Sequence, residues 1–417
     1  MIASKKITDF LLYIAIAIFL FGSGYKYAEW KIINSARPGS NFTVFNANNP
    51  SAKKTKTENI DFSLFWATWD KLQEKYVDKK KLDTQKMYYG AIKGLVASLG
   101  DPYSFFLTPE ENKQSKDDLG GKFQGIGAQL GLKDGKIVVI APLKDSPAEE
   151  AGLKTDDLIL KVDGESTEKW ALAQAVNKIR GPDNTKVILT VLRNGKSLDI
   201  SITRREIKVP SIELTYEKIN GQTVANIKLS QFGDNTNSEW DVAAAEVIRK
   251  WKSKEIKGLV IDVRGNPGGY LESAVYIASE FLDVGKVIVK QETANQPDRI
   301  NTVKRTGQLL DIPLALLINE GSASASEILS GSLRDHKRAV LVGHKSFGKG
   351  SVQEALDLDK GAGLHVTIAK WILPKGDWIN GIGITPEYLV DNQADTENTL
   401  TNANDLQLLK ALELVSN

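Results

Sequence analysis

The fold is decided by the stretch Ile261-Asp262-Val263-Arg264-Gly265-Asn266-Pro267-Gly268-Gly269-Tyr270, which joins an apolar strand pattern to a helical pattern through a glycine-rich turn. Such a turn exposes backbone N–H groups, which can hold a phosphate or stabilise an oxyanion. Because it lacks the Gly-Lys-Ser/Thr ending of a Walker loop, nucleotide binding is a weak interpretation. Asp262 and Arg264 alternate along the strand, which favours a structural ion pair over two catalytic groups.

Strand and helix patterns alternate on both sides of this turn. The strand patterns cover Val224–Leu229, Gly258–Val263, Lys286–Lys290, Pro313–Ile318 and Ala339–Gly343. The helical patterns cover Asn237–Lys252, Tyr270–Leu282 and Ser324–His336. This alternation predicts strand-helix-strand units and a layered α/β core.

Two motifs within the predicted core suggest nucleophilic catalysis. They are Ser322-Ala323-Ser324-Ala325-Ser326-Glu327 and Ser346-Phe347-Gly348-Lys349-Gly350-Ser351-Val352-Gln353. A serine hydroxyl needs a neighbouring base, and a lysine can serve only if its ammonium is desolvated enough to lose its proton. Three histidines and no cysteine exclude Cys-His chemistry and leave few candidates for a His-based triad. A Ser-Lys dyad is the economical hypothesis.

The serine motif also has a purely structural explanation. Ser324 and Glu327 match the Ser-x-x-Glu capping box that opens a helix. The two interpretations are compatible, because the helix macrodipole favours a developing negative charge at that end. The same position makes the N–H of Ala325 a candidate oxyanion donor. An isolated lysine is ordinarily exposed, so the case for Lys349 rests on its flanking glycines together with the serine motif.

Composition narrows the function classes. The chain has 417 residues, 41% of them hydrophobic and 25% charged, as in a folded protein of two or more domains. Its net charge of +2 balances 54 basic against 52 acidic residues, so nothing indicates a nucleic-acid partner. The absence of cysteine excludes disulfides and cysteine-based zinc sites. The chemistry requires no metal and no cofactor.

The N-terminus predicts a membrane anchor. Lys5 and Lys6 precede an apolar run, Ile7–Tyr25, whose 19 residues would span about 28 Å as a helix, close to the hydrocarbon thickness of a bilayer. Tyr27 and Trp30 follow as interfacial aromatics, and an uncleaved anchor is favoured over a cleaved signal peptide. We therefore expect a membrane-anchored protein whose catalytic part is extracytoplasmic, in the cell envelope or periplasm.

The segments after this run have contrasting compositions. The polar stretch 34–59 is typical of a linker, and the helical spacing between Phe62 and Leu99 predicts a small helical module. Asp101–Glu111 reads as a turn followed by a Thr-Pro-Glu-Glu helix start, with no chemistry needed to explain it. The tail begins polar and ends in one amphipathic helix, Leu400–Val415.

The region 118–205 has the composition of a compact β-rich domain. Short strand patterns cover Lys136–Ile140, Leu158–Val162, Lys186–Arg193 and Ser197–Thr203, with one helical pattern at Lys169–Ile179. The loop Gly125-Ile126-Gly127 and the motif Ser146-Pro147-Ala148-Glu149-Glu150-Ala151-Gly152-Leu153, followed by Asp157–Gly164, resemble a PDZ domain. This resemblance implies that Gly125, Ile126 and Gly127 offer N–H groups to a peptide C-terminal carboxylate. A plain hairpin turn is the structural alternative. Asp156 departs from the family, which commonly has glycine there.

The order of these features resembles that of the carboxyl-terminal processing proteases, serine peptidases of the S41 type, over roughly residues 61–390. Carried over by position, the resemblance makes Ser324 the nucleophile and Lys349 the general base, and it makes Gln353 the residue that orients the lysine. It places the oxyanion donors on the backbone of Gly268, Gly269 and Ala325. Ser322 and Ser326 remain the fallback nucleophiles, and Gly381–Glu387 matches the family pattern late in the core.

The implied fold is multidomain α/β with a layered crotonase/ClpP-like protease core. The predicted domains are an anchor at 1–33, a linker at 34–59, a helical module at 60–117, a PDZ domain at 118–205, the core at 206–391 and a tail at 392–417. The implied function is endopeptidase cleavage of proteins near or from their C-termini, with the PDZ domain recognising substrate C-termini and gating access. Family members commonly self-associate through terminal elements. The alternatives are an inactive PDZ scaffold that binds C-terminal peptides and a crotonase-like acyl transfer enzyme, which would need a coenzyme A pocket.

Overall fold

The computed structural model describes residues 61–133, 135–143, 145–170, 172–294, 296–392 and 404–416. The chain divides into two compact units, Met1–Pro102 and Tyr103–Asn417, and only residues 61–102 of the first are described. The predicted anchor and linker therefore lie outside the described residues. Among the residues that are described, no helix is both long enough and apolar enough to cross a membrane. The domain boundaries stay predictions.

The described part of the first unit is helical, as the spacing predicts. It contains α1 (Ser63–Lys75), α2 (Thr84–Ala97) and a short 3₁₀ turn at Lys79–Lys81. The side chain of Asp83 caps α2 by accepting the N–H groups of its first turn. Neither α-helix contains a buried residue. Large apolar side chains such as Leu64 and Leu95 consequently stay exposed.

The second unit starts with a strand that was not predicted and a helix that was. The strand is β1 (Phe105–Leu107) and the helix is α3 (Pro109–Leu119). Thr108 and Glu111 form a capping box: the Glu111 carboxylate accepts the N–H of Thr108 at 2.8 Å, and the Thr108 hydroxyl accepts the N–H of Glu111 at 3.3 Å. The Thr-Pro-Glu-Glu helix start is therefore confirmed.

The β-rich region contains a six-stranded sheet and a separate two-stranded sheet. Its elements are β2 (Lys122–Gly125), β3 (Ala128–Lys133), β4 (Lys136–Pro142), α4 (Pro147–Glu150), β5 (Leu158–Val162), β6 (Glu165–Ser166), α5 (Leu172–Ile179), β7 (Lys186–Arg193), β8 (Lys196–Thr203) and β9 (Arg205–Lys208). The path runs β3-β4-β5-β7-β8, β6 pairs with β5, and β2 pairs with β9. The predicted strands are confirmed, whereas β2, β3, β6 and β9 were missed. Asp156 adopts φ +65°, a left-handed conformation that aspartate tolerates better than most residues.

The core is a six-stranded sheet in the order β10-β11-β12-β15-β16-β19. Its strands are β10 (Ile212–Ile219), β11 (Gln222–Leu229), β12 (Leu259–Asp262), β15 (Leu314–Ile318), β16 (Val340–Gly343) and β19 (Tyr388–Leu389). All neighbours from β11 to β19 are parallel, and β10 is antiparallel to β11. Strands β12 and β15 are buried along their whole length, as expected for parallel strands covered on both faces.

Alternate side chains of this sheet enter two different cores. One row, Ile227-Ile261-Leu316-Leu341, faces a cluster that contains α6 (Thr236–Lys252), α7 (Leu271–Ala278) and α8 (Ala325–Asp335). Val260, Ala315 and Val342 face the opposite way, onto the C-terminal helix α9 (Leu406–Ser416). The helix predicted over the tail is thus described from Leu406 onward and docks on the core. The expected mixed α/β architecture is confirmed.

A second, antiparallel sheet flanks the helices. It contains β1, β13 (Val287–Thr293), β14 (Arg299–Thr302), β17 (Ser351–Asp357) and β18 (Gly363–Ile372), with a 3₁₀ turn at Asp359–Gly361 between the last two strands. Its central strand is β18, which pairs with β1, β13 and β17. The loops that follow β12, β15 and β16 leave the carboxyl ends of neighbouring parallel strands, the edge at which α/β sheets commonly build their sites.

Candidate active site

Ser324 lies at the N-terminus of α8 in an unusual backbone conformation. Its φ is +54° and its ψ is −113°, outside the regions that side-chain-bearing residues favour. Strain of this kind persists only where the surroundings determine the conformation, and it concentrates at functional sites. Ser324 is half-buried, so its hydroxyl lies at the boundary between the core and the surface.

The other two serines of the motif are fully buried and have structural partners. The hydroxyl of Ser322 donates to the carbonyl of Val263 at 2.7 Å and accepts the N–H of Asn319 at 3.0 Å. The hydroxyl of Ser326 donates to the carbonyl of Asn266 at 3.0 Å. Both hydroxyls tie the serine turn to neighbouring loops. Of the three serines, Ser324 is the one placed to meet a substrate.

The carboxylate of Glu327 accepts four hydrogen bonds, which come from the serine turn and from the loop after β16. Its Oε2 atom accepts the backbone N–H groups of Ser324 and Lys349, each at 2.9 Å. Its Oε1 atom accepts the hydroxyl of Ser346 at 2.6 Å and the N–H of Gly348 at 2.7 Å. Burial raises the pKa of Glu327 above its usual value, and these four bonds act in the opposite direction. The bond to Ser324 is the half of the predicted capping box that the glutamate supplies.

The turn Gly265–Tyr270 lies directly against Ser324. A Cβ atom on Gly268 would come within 2.7 Å of the Ser324 Cβ and within 3.0 Å of the Ala325 nitrogen. The buried side chain of Asn266 fixes the turn to the end of β11 by donating to the Leu229 carbonyl at 2.8 Å. Glycine is required at this position because φ of Gly268 is +100° and no side chain fits.

The three predicted oxyanion donors differ in their availability. The N–H of Gly268 donates to the side chain of Asn266 at 2.9 Å and is therefore occupied. The N–H of Gly269 has no acceptor within the part of the chain that the structure describes. Ala325 is the first residue of α8, where no carbonyl of the helix can accept its N–H. The geometry favours Gly269 and Ala325 over Gly268 as oxyanion donors.

Arg264 connects this turn to the C-terminal helix. Its guanidinium donates to Asp262 and to Asp405, with the shortest contact to each at 2.7 Å. It also donates to Gln407 at 3.0 Å. The expected pairing of Asp262 with Arg264 is present, and Asp405 is a partner that sequence reasoning missed because it lies far along the chain.

Lys349 lies in the loop after β16, opposite an aromatic residue from the start of the second unit. Its Nζ is 5.3 Å from the centre of the Tyr103 ring, a cation–π distance. His365 is close enough for the charge of Lys349 to affect it: burial first, and then that charge, lower the pKa of His365. The segment Asp101–Glu111 was expected to need no chemistry, so this placement of Tyr103 corrects that interpretation. The contact between Tyr103 and Lys349 could not be predicted from local sequence, because the two residues lie far apart in the chain.

Gln353 lies on β17, two strand positions beyond Ser351. Its amide nitrogen donates to the hydroxyls of Ser351 at 2.8 Å and of Thr367 at 3.0 Å. These bonds hold the amide between β17 and β18. Its predicted role in orienting Lys349 stays a prediction.

The predicted peptide-binding loop of the PDZ-like region joins β2 to β3. The carbonyls of Ile126 and Gly127 accept the N–H groups of Ala148 and Leu143, each at 2.8 Å. Their own N–H groups have no acceptor among the described residues. Gly127 has φ +72°, and a Cβ atom there would approach that of Ser146 to 2.5 Å. The adjoining strand β3 ends the sheet order, so a peptide strand could pair with its free edge.

Family models match three parts of the chain. Peptidase family S41 matches residues 223–390, a PDZ domain matches residues 138–193, and the N-terminal domain of the activating protease CtpB matches residues 19–111. The first match contains both Ser324 and Lys349. The second begins beyond the predicted loop at Gly125–Gly127.

Known proteins resemble the chain over most of its length. The carboxy-terminal processing protease CtpB of Bacillus subtilis is 35% identical over 408 residues, which cover 97% of this chain and 81% of that protein. A probable CtpA-like serine protease of Staphylococcus aureus is 40% identical over 313 residues, which cover 75% of this chain and 62% of that protein. The structure of a photosystem II D1 C-terminal processing protease has a TM-score of 0.50 at 28% identity, covering 84% of this chain and 91% of that one.

Proposed function

The chain belongs to peptidase family S41, as a serine protease of the carboxy-terminal processing type, and we propose that Ser324 is its nucleophile and Lys349 its general base. The observation that carries this proposal is the arrangement of the serine turn. Ser324 alone of the three serines is half-buried and strained, while Ser322 and Ser326 are buried with hydroxyls bonded to backbone groups. Its backbone and that of Lys349 meet at one carboxylate oxygen.

The proposed reaction is acyl transfer in two steps. Neutral Lys349 takes the proton of the Ser324 hydroxyl as the oxygen attacks the peptide carbonyl, and the resulting ammonium gives that proton to the departing amine. Water then attacks the acyl-enzyme with Lys349 again as base, which releases the new C-terminus and restores the serine. The N–H groups of Gly269 and Ala325 stabilise the oxyanion in both steps. Gln353 orients the lysine.

The substrates of this site are proteins and peptides with accessible C-termini. The free N–H groups of Ile126 and Gly127 support binding of a terminal carboxylate in the PDZ-like region, and the edge of β3 supports pairing with the peptide strand. We propose that such binding gates access to Ser324. Such gating requires that movement of the loop Gly125–Gly127 alters the active site through the contacts between the β-rich region and the core.

Those joining segments are packed tightly. At the end of α3, Asp118 lies 3.6 Å from Arg180 of the β-rich region. The carbonyl of Leu119 accepts the N–H of Asp234 at 3.0 Å, and the Asp234 carboxylate accepts the hydroxyl of Tyr270, the last residue of the oxyanion turn, at 2.8 Å. A shift of the β-rich region would therefore displace the turn that carries Gly269.

The N-terminal residues supply the proposed location. We propose that the apolar run Ile7–Tyr25 anchors the protein in a membrane, with the catalytic part extracytoplasmic, in the cell envelope or periplasm. The exposed apolar side chains of α1 and α2 support self-association through the helical module, because these two helices contain no buried residue and gain stability when their apolar side chains are covered.

Cleavage of an unfolded protein tests the proposal. Casein would be incubated with the full chain in mild detergent, wild type beside Ser324→Ala, and the products identified by mass spectrometry. The proposal predicts cleavage by the wild type and none by the variant. Equal cleavage by both proteins would contradict it. Tight binding of C-terminal peptides without any cleavage would instead favour an inactive PDZ scaffold.

A further inference from the structure

Glu327 makes more hydrogen bonds than a helix cap requires. A capping glutamate accepts one N–H, that of the N-cap residue, as Glu111 does for Thr108 at the start of α3. Glu327 accepts that bond from Ser324 and three more from the loop 346–349. The loop follows β16, whereas Glu327 belongs to α8. The extra bonds thus join two separate elements of the core.

These bonds are held in a buried, saturated arrangement. Glu327 is fully buried, and each carboxylate oxygen accepts two donors at 2.6 to 2.9 Å. A proton on either oxygen would displace one of the four donors. The Ser346 hydroxyl is itself fixed, because it accepts the N–H of Ile384 at 2.6 Å. The carboxylate therefore holds its partners in one geometry.

Two of the backbone groups that Glu327 accepts, one at Oε2 and one at Oε1, belong to residues whose placement is demanding. Ser324 has φ +54°, a conformation that needs support from its surroundings. Gly348, next to Lys349, has φ +92°, and a Cβ atom there would lie 2.7 Å from the Gly383 nitrogen. A strained serine and a glycine turn that has no room for a side chain therefore meet at the same carboxylate. Fixing the N–H groups of Ser324 and Lys349 to one oxygen fixes the distance between the two backbones.

We propose that Glu327 is a positioning residue that sets the Ser324 hydroxyl and the Nζ atom of neutral Lys349 at reacting distance by holding both backbones on its Oε2 atom. This inference rests on the proposed roles of Ser324 and Lys349. It assigns to the motif glutamate a part in the chemistry beyond helix capping. The effect is geometric, so an uncharged oxygen in the same place would serve.

Three substitutions in the full chain separate geometry from charge. Glu327→Ala removes the bridge, and Glu327→Asp keeps the charge but is one methylene too short to span both loops. Both should lower kcat by about 10²-fold, the usual effect of displacing a catalytic group by about 1 Å, with KM changed less than about twofold. Glu327→Gln can place its amide oxygen at Oε2, which keeps the bonds from Ser324 and Lys349, while its NH₂ cannot accept the N–H of Gly348. Its kcat should therefore fall, but by about tenfold at most.

A second measurement reports the reactivity of Ser324 without a peptide substrate. The rate at which a fluorophosphonate labels the protein should fall in Glu327→Ala and Glu327→Asp in parallel with kcat and fall by about tenfold at most in Glu327→Gln. The matched control is Glu111→Ala, which removes the capping glutamate of α3 and should leave kcat unchanged. Thermal melting identifies folded variants, and Glu327→Asp decides the question if Glu327→Ala does not fold.

Two results would overturn the positioning role. One is a folded Glu327→Ala or Glu327→Asp whose kcat is within about threefold of the wild type. The other is a folded Glu327→Gln that is as inactive as Glu327→Ala, because an oxygen at the Oε2 position would then not be what sustains catalysis. Cleavage that persists in Ser324→Ala would contradict the proposed function itself, and with it the role of Glu327.

Discussion

Gly268 lies so close to Ser324 that a Cβ atom on the glycine would come within 2.7 Å of the Cβ of the serine. This contact brings the turn after β12 against the turn after β15. It brings together the groups proposed to act in catalysis from two motifs separated in the chain: the Ser324 hydroxyl and the Ala325 N–H of the serine turn, and the Gly269 N–H of the glycine turn. A side chain at Gly268 should consequently change catalysis.

Gly268→Ala should lower kcat by about 10²-fold or more, because the new methyl group must displace either Ser324 or the turn itself. Gly265→Ala is the matched control. Gly265 also has a positive φ, +70°, but nothing lies within 4 Å of its Cβ position. It should cost about 1 kcal/mol of folding free energy and leave kcat within a few-fold. Peptidase assays and urea unfolding of both variants measure this, and equal kcat values in the two would contradict it.

Lys349→Ala and Lys349→Arg should both abolish cleavage. The arginine keeps the positive charge but cannot lose its proton and act as a base. Lys345→Ala, which changes an exposed lysine of the same loop, should retain full activity. Measured kcat values decide the matter, and substantial activity in Lys349→Arg would exclude the lysine as a general base.

The activity should fall as the pH is lowered, because Lys349 must be neutral to accept a proton. His365 should not be the group responsible. Burial and the charge of Lys349 lower the pKa of His365, so the imidazole stays neutral to lower pH than an ordinary histidine. His365→Gln should therefore leave the pH at half-maximal kcat/KM unchanged. A displacement of that midpoint by one unit or more would assign the titration to the histidine.

Two of the predicted strands, β12 and β15, have a nearly unbroken apolar sequence. Strands β12 and β15 are buried from end to end and stand out as such. Strands β17 and β18 were missed because they are partly exposed and interrupt their apolar residues with Gln353, Glu354 and Lys370. Their pairing depends on cross-strand neighbours, which a linear pattern does not reveal.

The same limit applies to the site. Ser324 and Lys349 could be named because each lies in a distinctive local motif. The bonds from Glu327 to Lys349 and from Arg264 to Asp405 join residues that only the fold brings together. Local sequence therefore indicated a helix cap at Glu327 but could not indicate what else the carboxylate holds.

Asp405→Ala should destabilise the protein and weaken catalysis together. It leaves the Arg264 guanidinium, whose side chain is only 17% exposed, without one of its two carboxylates. Breaking a buried ion pair in this way costs about 3–5 kcal/mol. Glu413→Ala, an exposed change on the same helix, is the control. Urea unfolding and kcat measure the two effects, and an unchanged unfolding midpoint in Asp405→Ala would contradict the prediction.

The same ion pair predicts loss of stability in acid. Burial acts to raise the pKa of Asp405, but the hydrogen bonds from Arg264, Leu408 and Asn392 together with the charge of Arg264 outweigh it and hold the pKa below its usual value. The stabilisation is therefore present above the pKa of an ordinary aspartate and is lost as the pH falls through the lower pKa of the folded protein. Asp405→Asn should flatten this part of the stability profile.

Gly127→Ala should abolish binding of C-terminal peptides. Its Cβ atom would meet Ser146 at 2.5 Å in a loop with φ +72°, and the loop would have to move. Gly135→Ala is matched to it, since φ is +71° there but nothing lies within 4 Å of the Cβ position. Fluorescence anisotropy of a labelled peptide with the full chain compares the two. Equal affinities would remove the loop from the peptide-binding site.

The most direct test of the central claim is to find which serine reacts. The full chain would be labelled with a fluorophosphonate, digested and mapped by mass spectrometry, with Lys349→Ala and Ser324→Ala treated in the same way. A Ser324–Lys349 dyad predicts one adduct, on Ser324, that is absent from Ser324→Ala and strongly reduced in Lys349→Ala. An adduct on Ser322 or Ser326, or labelling that Ser324→Ala leaves undiminished, would contradict it.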